Sequence, residues 1–175
     1  MKKLGLIFFL VNFLILGLKT VQSQAFYGKG DVILQIGANF QNNGTGIMGT
    51  LDFGLADNIS IGIGSGYLIG VEPIKDEGET KTLPAFEDRF DLRGRLNANI
   101  GNLLNIDDRL DIYPGLYVSM KNFGGHVGVR YFLSYGFGFF SEVDFPIAKY
   151  NTQTLTPAEK LHNQTTFNIG VAFGI

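Results

Sequence analysis

Between Arg89 and Ile100 the chain alternates with period two. Phe90, Leu92, Leu96, Ala98 and Ile100 share one parity with Gly94, and Arg89, Asp91, Arg93, Arg95, Asn97 and Asn99 take the other. Successive side chains of a strand point to opposite faces, so this ribbon has one apolar face and one charged, amide-rich face. The pattern recurs about eight times and runs to the C-terminus through Phe167, Ile169, Val171 and Phe173. Alternation leaves open which face meets water; the ends, the length and the glycines bear on that.

Met1-Lys2-Lys3 followed by the apolar stretch Leu4–Leu18, with small Val21 and Ser23 at −3 and −1, predicts a cleaved export signal over residues 1–23. The stretch is shorter than the ~20 apolar residues of a spanning helix, and Asn12 interrupts it. Gln24 is then the mature N-terminus of a single domain, 24–175. An exported chain without cysteine is not a disulfide scaffold. Losing Lys2, Lys3 and Lys19 leaves 11 basic against 16 acidic residues, a net charge of −5 that argues against nucleic-acid binding. At ~10 residues per membrane strand, about 150 residues accommodate roughly eight strands and exclude a sixteen-stranded porin. Eight strands enclose an interior that side chains fill.

The outward sets on this reading are Val32, Leu34, Ile36, Ala38 and Phe40; Ile47, Leu51, Phe53 and Leu55; Ile59, Ile61, Ile63, Tyr67 and Ile69; the central run; Ile112, Leu116, Val118 and Met120; Val127, Val129 and Tyr131; Phe137, Phe139, Val143 and Phe145; and the C-terminal set. In the fifth strand Pro114 predicts a bulge or strand end. Loops are expected at 41–46, 70–88, 121–125 and 148–163 on one side. Connections are expected at 56–58, 101–109, with one helical turn around Leu103-Leu104, and 133–135 on the other, of which 101–109 is longer than such turns usually are. Long loops outside and short turns beside the termini are the asymmetry of outer-membrane barrels.

A soluble sandwich or lipocalin-like barrel would alternate too, apolar side inward. Against it, Gly62, Gly64, Gly66, Gly128, Gly138, Gly170 and Gly174 crowd the polar face, where a water-exposed surface has no need of them. That face also mixes Arg93, Arg95 and Arg130 with Asp52, Asp91, Asp111, Glu142 and Asp144, an inventory able to pair internally once removed from water. The expected fold is therefore an all-β, antiparallel, up-and-down transmembrane β-barrel of about eight strands, its lumen holding this polar network.

Lys29-Gly30-Asp31, Gly44-Thr45-Gly46, Asp52-Phe53-Gly54-Leu55 and Gly128-Val129-Arg130-Tyr131 carry a resemblance across nearly the whole mature chain. It resembles the small outer-membrane barrels of the OmpA/OmpX class, and in particular the uncharacterised outer-membrane barrel-domain proteins of Bacteroidetes-type bacteria. The resemblance implies a location in the bacterial outer membrane and insertion machinery that reads the C-terminal strand, although such strands usually end in Phe and this one ends in Ile175. Tryptophan, usual in aromatic girdles, is absent; Tyr27, Tyr67, Tyr131 and Tyr150 are the substitutes.

The expected role is structural or interactive: a monomer among outer-membrane lipids, without a wide pore, presenting loops 70–88 and 148–163 to an extracellular partner. No cofactor, metal or catalytic residue is assigned. One alternative is a lipid-modifying enzyme acting on lipid A acyl chains, with His126, Ser119 (or Ser141) and Glu142 as base, nucleophile and acid, provided they lie within hydrogen-bond reach. The plainer reading of His126 is a rim histidine bonded to loop groups. A second alternative is a soluble exported barrel with an apolar ligand cavity. Lumen arginines with Glu142 could also form an ion gate, against which a salt-bridged plug is the plainer reading. His162 is expected to meet solvent. Asp76, Glu77 and Glu79 lack the order of a calcium loop.

Overall fold

The computed structural model describes residues 24–71, 84–150 and 160–175. The expected signal 1–23 and the acidic stretch containing Glu72, Asp76, Glu77 and Glu79 lie outside the described residues. Eight strands follow one another: β1 (Val32–Gln41), β2 (Gly44–Ala56), β3 (Ile59–Val71), β4 (Phe90–Ala98), β5 (Leu110–Ser119), β6 (Asn122–Ser134), β7 (Phe137–Lys149) and β8 (Thr166–Gly174). Single helical turns, α1 (Phe86–Arg89) and α2 (Gly101–Leu104), precede β4 and β5. Each strand pairs antiparallel with the next, and β8 returns to β1 to close an up-and-down barrel. Closure removes every sheet edge, so the ladders satisfy the wall's backbone groups without help from solvent.

The apolar parity faces outward on all eight strands. Ile36, Ile47, Ile63, Ile69, Leu92, Leu116, Phe139 and Ile169 are exposed, while Gln35, Thr50, Asp52, Arg95, Asn97, Arg130, Glu142 and Asn168 are buried inside. The barrel is apolar outside and charged inside, the reverse of a soluble barrel with an apolar cavity.

Three connections are tighter than the sequence suggests. Gly44-Thr45-Gly46 belongs to β2, because Asn43 takes a left-handed conformation (φ 59°) and closes a two-residue turn with Asn42. Gly124 and Gly125 lie within β6 instead of in a loop at 121–125. A side chain at Gly124 would overlap the Tyr117 ring, so the glycine pair is a packing requirement of the wall. The turn expected at 133–135 is Tyr135-Gly136, with Gly136 at φ 74°. Pro114 introduces no register shift against β6. It marks an end: the β4–β5 ladder stops at Asn97↔Gly115 after five pairs. Ile112 and Met120, of the same parity, turn their backbone groups toward the β4 side. The N–H that Pro114 lacks is the one this register would turn toward Ala98, so the ladder breaks there and only the Ile100 N–H bond to the Ile112 carbonyl (2.9 Å) follows.

Residues 24–27, outside every strand expected from the sequence, close the end that carries the termini. Ala25 N–H donates to the Asp108 carbonyl (2.7 Å), and Asn102 Nδ2 donates to that of Phe26 (3.1 Å). The Phe26 ring thereby joins Ala25, Ile33, Phe132 and Ala172 as an apolar floor.

Candidate functional site in the barrel lumen

Above that floor the lumen is built in tiers, because inward positions recur every second residue on eight strands in register. In the lowest tier Arg130 is fully buried and donates to Asp111 from Nε (3.1 Å) and Nη2 (2.7 Å). Its guanidinium stacks on the Tyr113 ring at 4.5 Å and lies 5.9 Å from that of Phe26. Gly128 faces Tyr113 and must be glycine, since a Cβ would overlap that ring. Asn99 accepts a further bond from Arg130 and donates to Ser60 Oγ, which Asn97 also bonds.

In the middle tier Arg95 donates to both oxygens of Glu142, at 3.2 and 2.7 Å. Asp52 lies between the two arginines, 3.3 Å from Arg95 Nε and 3.9 Å from Arg130 Nη1. Gln35 donates to the Tyr113 hydroxyl and accepts from Thr50, both at 2.9 Å. His126 Nε2 is 2.7 Å from Asn97 Oδ1. The same nitrogen lies 3.2 Å from Arg95 Nη2, and Asn97 gives its amide nitrogen to Ser60.

In the tier nearest the long connections Arg93 bridges Asp144 (2.7 Å) and Asp91 (3.3 Å) over the Tyr117 ring. Asn168 and Thr166 also donate to Asp144 Oδ2, and Asn39 donates to Asn168. Residues 160–164 close this end: Leu161 is buried, its carbonyl accepts from Gln41 Nε2 (2.6 Å), and Asn122 Nδ2 donates to the His162 carbonyl (2.7 Å). The same segment holds His162, which does not point into solvent as the loop's polarity suggests. Its Nε2–H donates to the Asp88 carbonyl at 2.8 Å, and burial lowers its pKa from the ordinary 6.5.

Asp52, Asp91, Arg93, Arg95, Asp111, Arg130, Glu142 and Asp144 all face this interior. The catalytic alternative is not assembled. His126 sits opposite Gly115 in the middle tier, not at the rim among loop groups. Ser119 is four residues further along β5, ~13 Å at strand rise, and its Oγ accepts from the Lys121 and Asn122 N–H groups. Glu142 is held by Arg95, and Ser141 has the outward parity of Phe139 and Val143. Among the described residues no three His, Cys, Asp or Glu side chains converge as metal ligands.

Both rims of the outer wall carry aromatic and cationic groups. At one rim Phe86 stacks on Phe90 at 5.7 Å and meets Tyr67 at a tilt at 5.2 Å, with Arg89 over Tyr67. Arg109 lies over Tyr131 at 5.1 Å at the other. There Arg109 donates to both oxygens of Asp107 (3.1 and 2.9 Å), which lowers that carboxyl to a pKa of about 2.

Among solved structures the chain is similar to one described as "De novo design of transmembrane beta-barrels". The TM-score is 0.51 at 11% identity, covering 84% of this chain and 97% of that one. At that identity the likeness concerns the fold alone. No curated protein matches the sequence. A family described as "Family of unknown function (DUF6646)" matches residues 15–175, which is most of the chain. The protein, a closed, eight-stranded, up-and-down barrel, belongs to this family.

Proposed function

We propose that the protein is an integral barrel of the bacterial outer membrane, exported by removal of residues 1–23, with a structural or surface-interaction role and no open pore. The observation that carries this is the inverted polarity of the wall. Ile59, Ile61, Ile63, Tyr67 and Ile69 form an outward row on β3. Ten residues at ~3.3 Å span ~33 Å, or ~25 Å along the membrane normal at a tilt of ~40°, the height of the apolar band in such barrels. Aromatic and arginine side chains at both rims suit the two interfaces. In water the same wall would expose an apolar patch far beyond the few hundred Å² that soluble monomers carry.

On this reading both termini are periplasmic, and the β3–β4 and β7–β8 connections, the expected loops 70–88 and 148–163, serve an extracellular partner. With Phe26 below and Leu161 above, the arginine–carboxylate tiers fill the bore as a plug and not as a gate. The test is fractionation followed by gel electrophoresis with and without boiling. The protein should sediment with outer membranes and migrate as a folded, faster band until heated. A soluble periplasmic chain without a heat-dependent shift overturns the reading.

A further inference from the structure

We propose that the lumen tier beneath residues 160–164 is a binding site for a small, hard monovalent cation of the Na⁺ class. Three observations converge on it. The first is charge: the interior holds Arg93, Arg95 and Arg130 against Asp52, Asp91, Asp111, Glu142 and Asp144. Each carboxylate has an arginine neighbour, but the set carries an excess of two negative charges, a cost that a buried site meets by taking up cations or protons.

The second is where the unpaired oxygens lie. Asp91 and Asp144 each give Oδ2 to Arg93, and among the described residues the Oδ1 of each has no hydrogen-bond donor. Asn39, 8% exposed and uncharged, also has an Oδ1 without one. A relay fixes that oxygen's identity. Asn39 donates its amide to Asn168 Oδ1 (2.7 Å), and Asn168 donates its own to Asp144 Oδ2 (3.0 Å). Flipping either amide would set oxygen against oxygen, so the relay presents Asn39 Oδ1 as an acceptor.

The third is space: Asn39, Asp91, Asp144 and Thr166 line one cavity of ≈ 20 Å³, room for a single water-sized occupant. Arg93, Tyr117 and His162 line the same cavity; His162 Nε2–H is held by the Asp88 carbonyl, and the three unpaired acceptors are oxygens, which select a hard cation over a transition metal. Two carboxylates beside one guanidinium leave one net negative charge, which a monovalent ion neutralises and a divalent ion overshoots. Asp91 from β4 and Asp144 from β7 approach from facing sides of the barrel, so the ion would tie the wall together across its bore. This inference rests on the lumen geometry and stands apart from the membrane assignment.

The test is the thermal unfolding midpoint of the detergent-solubilised barrel at pH 8, with NaCl exchanged for choline chloride at constant ionic strength. The midpoint should climb with Na⁺, as linkage requires of a ligand bound only by the folded state. Asp91→Asn should raise the Na⁺ concentration needed at least tenfold. Because that variant could fold poorly, ²³Na NMR line broadening by the wild-type barrel supplies a second reading, and broadening that saturates supports the site. Equal midpoints in Na⁺ and choline would mean that water or a proton fills the cavity and would overturn the proposal. A larger response to Ca²⁺ at matched ionic strength would overturn the monovalent assignment.

Discussion

At the scale of single residues, Arg130 is the most committed side chain in the molecule. It is fully buried, bonded to Asp111 through two nitrogens and stacked on Tyr113. Arg130→Met leaves Asp111 charged and unpaired at the floor of the lumen and should cost ~3–5 kcal/mol, the range for breaking a buried pair. Arg130→Met with Asp111→Asn removes both charges and should recover most of that loss. Because the chain has no tryptophan, urea unfolding in detergent is best followed by far-UV circular dichroism or by the fraction migrating as the folded band. If the double variant is no more stable than the single one, the cost lies in lost packing on Tyr113 and not in the stranded carboxylate. Asp107 offers a milder test at the rim. Its folded pKa of about 2 lies below the ordinary 3.8, so its pairing with Arg109 is fully present above 3.8 and lost as pH falls through about 2. NMR titration of the Asp107 carboxyl should return the low value, and Arg109→Ala should raise it only part of the way, because the residue-109 N–H and the Tyr131 hydroxyl still donate to it.

At the scale of elements, period-two patterning made the strands readable, and even the outward parity of β5 around Pro114 followed from it. Segments without a period were opaque. Nothing in Gln24-Ala25-Phe26-Tyr27 announces that Phe26 turns back under the barrel, because a floor is defined by what it covers and not by local repetition. The two histidines misled for the same reason. His126 follows a glycine pair that reads as a loop and His162 stands in a polar stretch, yet His126 is placed by the tier it shares with Asn97 and His162 by the mouth it closes. The 160–164 segment consequently has a direction of pH dependence. With a folded pKa below 6.5, His162 binds its proton more tightly when the segment is displaced than when it is seated. The segment's stability is fully present above that pH and declines as pH falls below it. Among its charged neighbours Asp91 opposes the shift, and Lys121 and Arg93 reinforce it. Amide hydrogen exchange at 160–164, corrected for intrinsic rates, should be faster at pH 5 than at pH 7.5, and His162→Gln should flatten that difference. Exchange that slows on acidification would mean that Asp91 dominates.

At the scale of the whole molecule, the barrel answers one question on both faces of the same strands: where does the charge go when the outside is apolar? The inner face takes it up in tiers, and the outer face then depends on its surroundings. Ile63 and Ile69 separate the two possible surroundings. They lie on one strand with nearly equal exposure, 58% and 61%, so neither owes much to packing within the protein. What differs is height, since Ile63 is mid-wall and Ile69 is near the rim. In a bilayer an outward arginine costs ~2–4 kcal/mol at the midplane and ~0–1 near the interface. Ile63→Arg should therefore destabilise the barrel in phospholipid vesicles by several times as much as Ile69→Arg, measured as the difference in unfolding midpoint converted through the urea slope. In water a charge at either site would be equally harmless, and both variants would only improve solubility. Equal, small effects would leave the apolar wall without lipid to explain it; a depth-dependent penalty would set the hydrocarbon core against the middle of β3, with the rims at the level of Tyr67 and Tyr131.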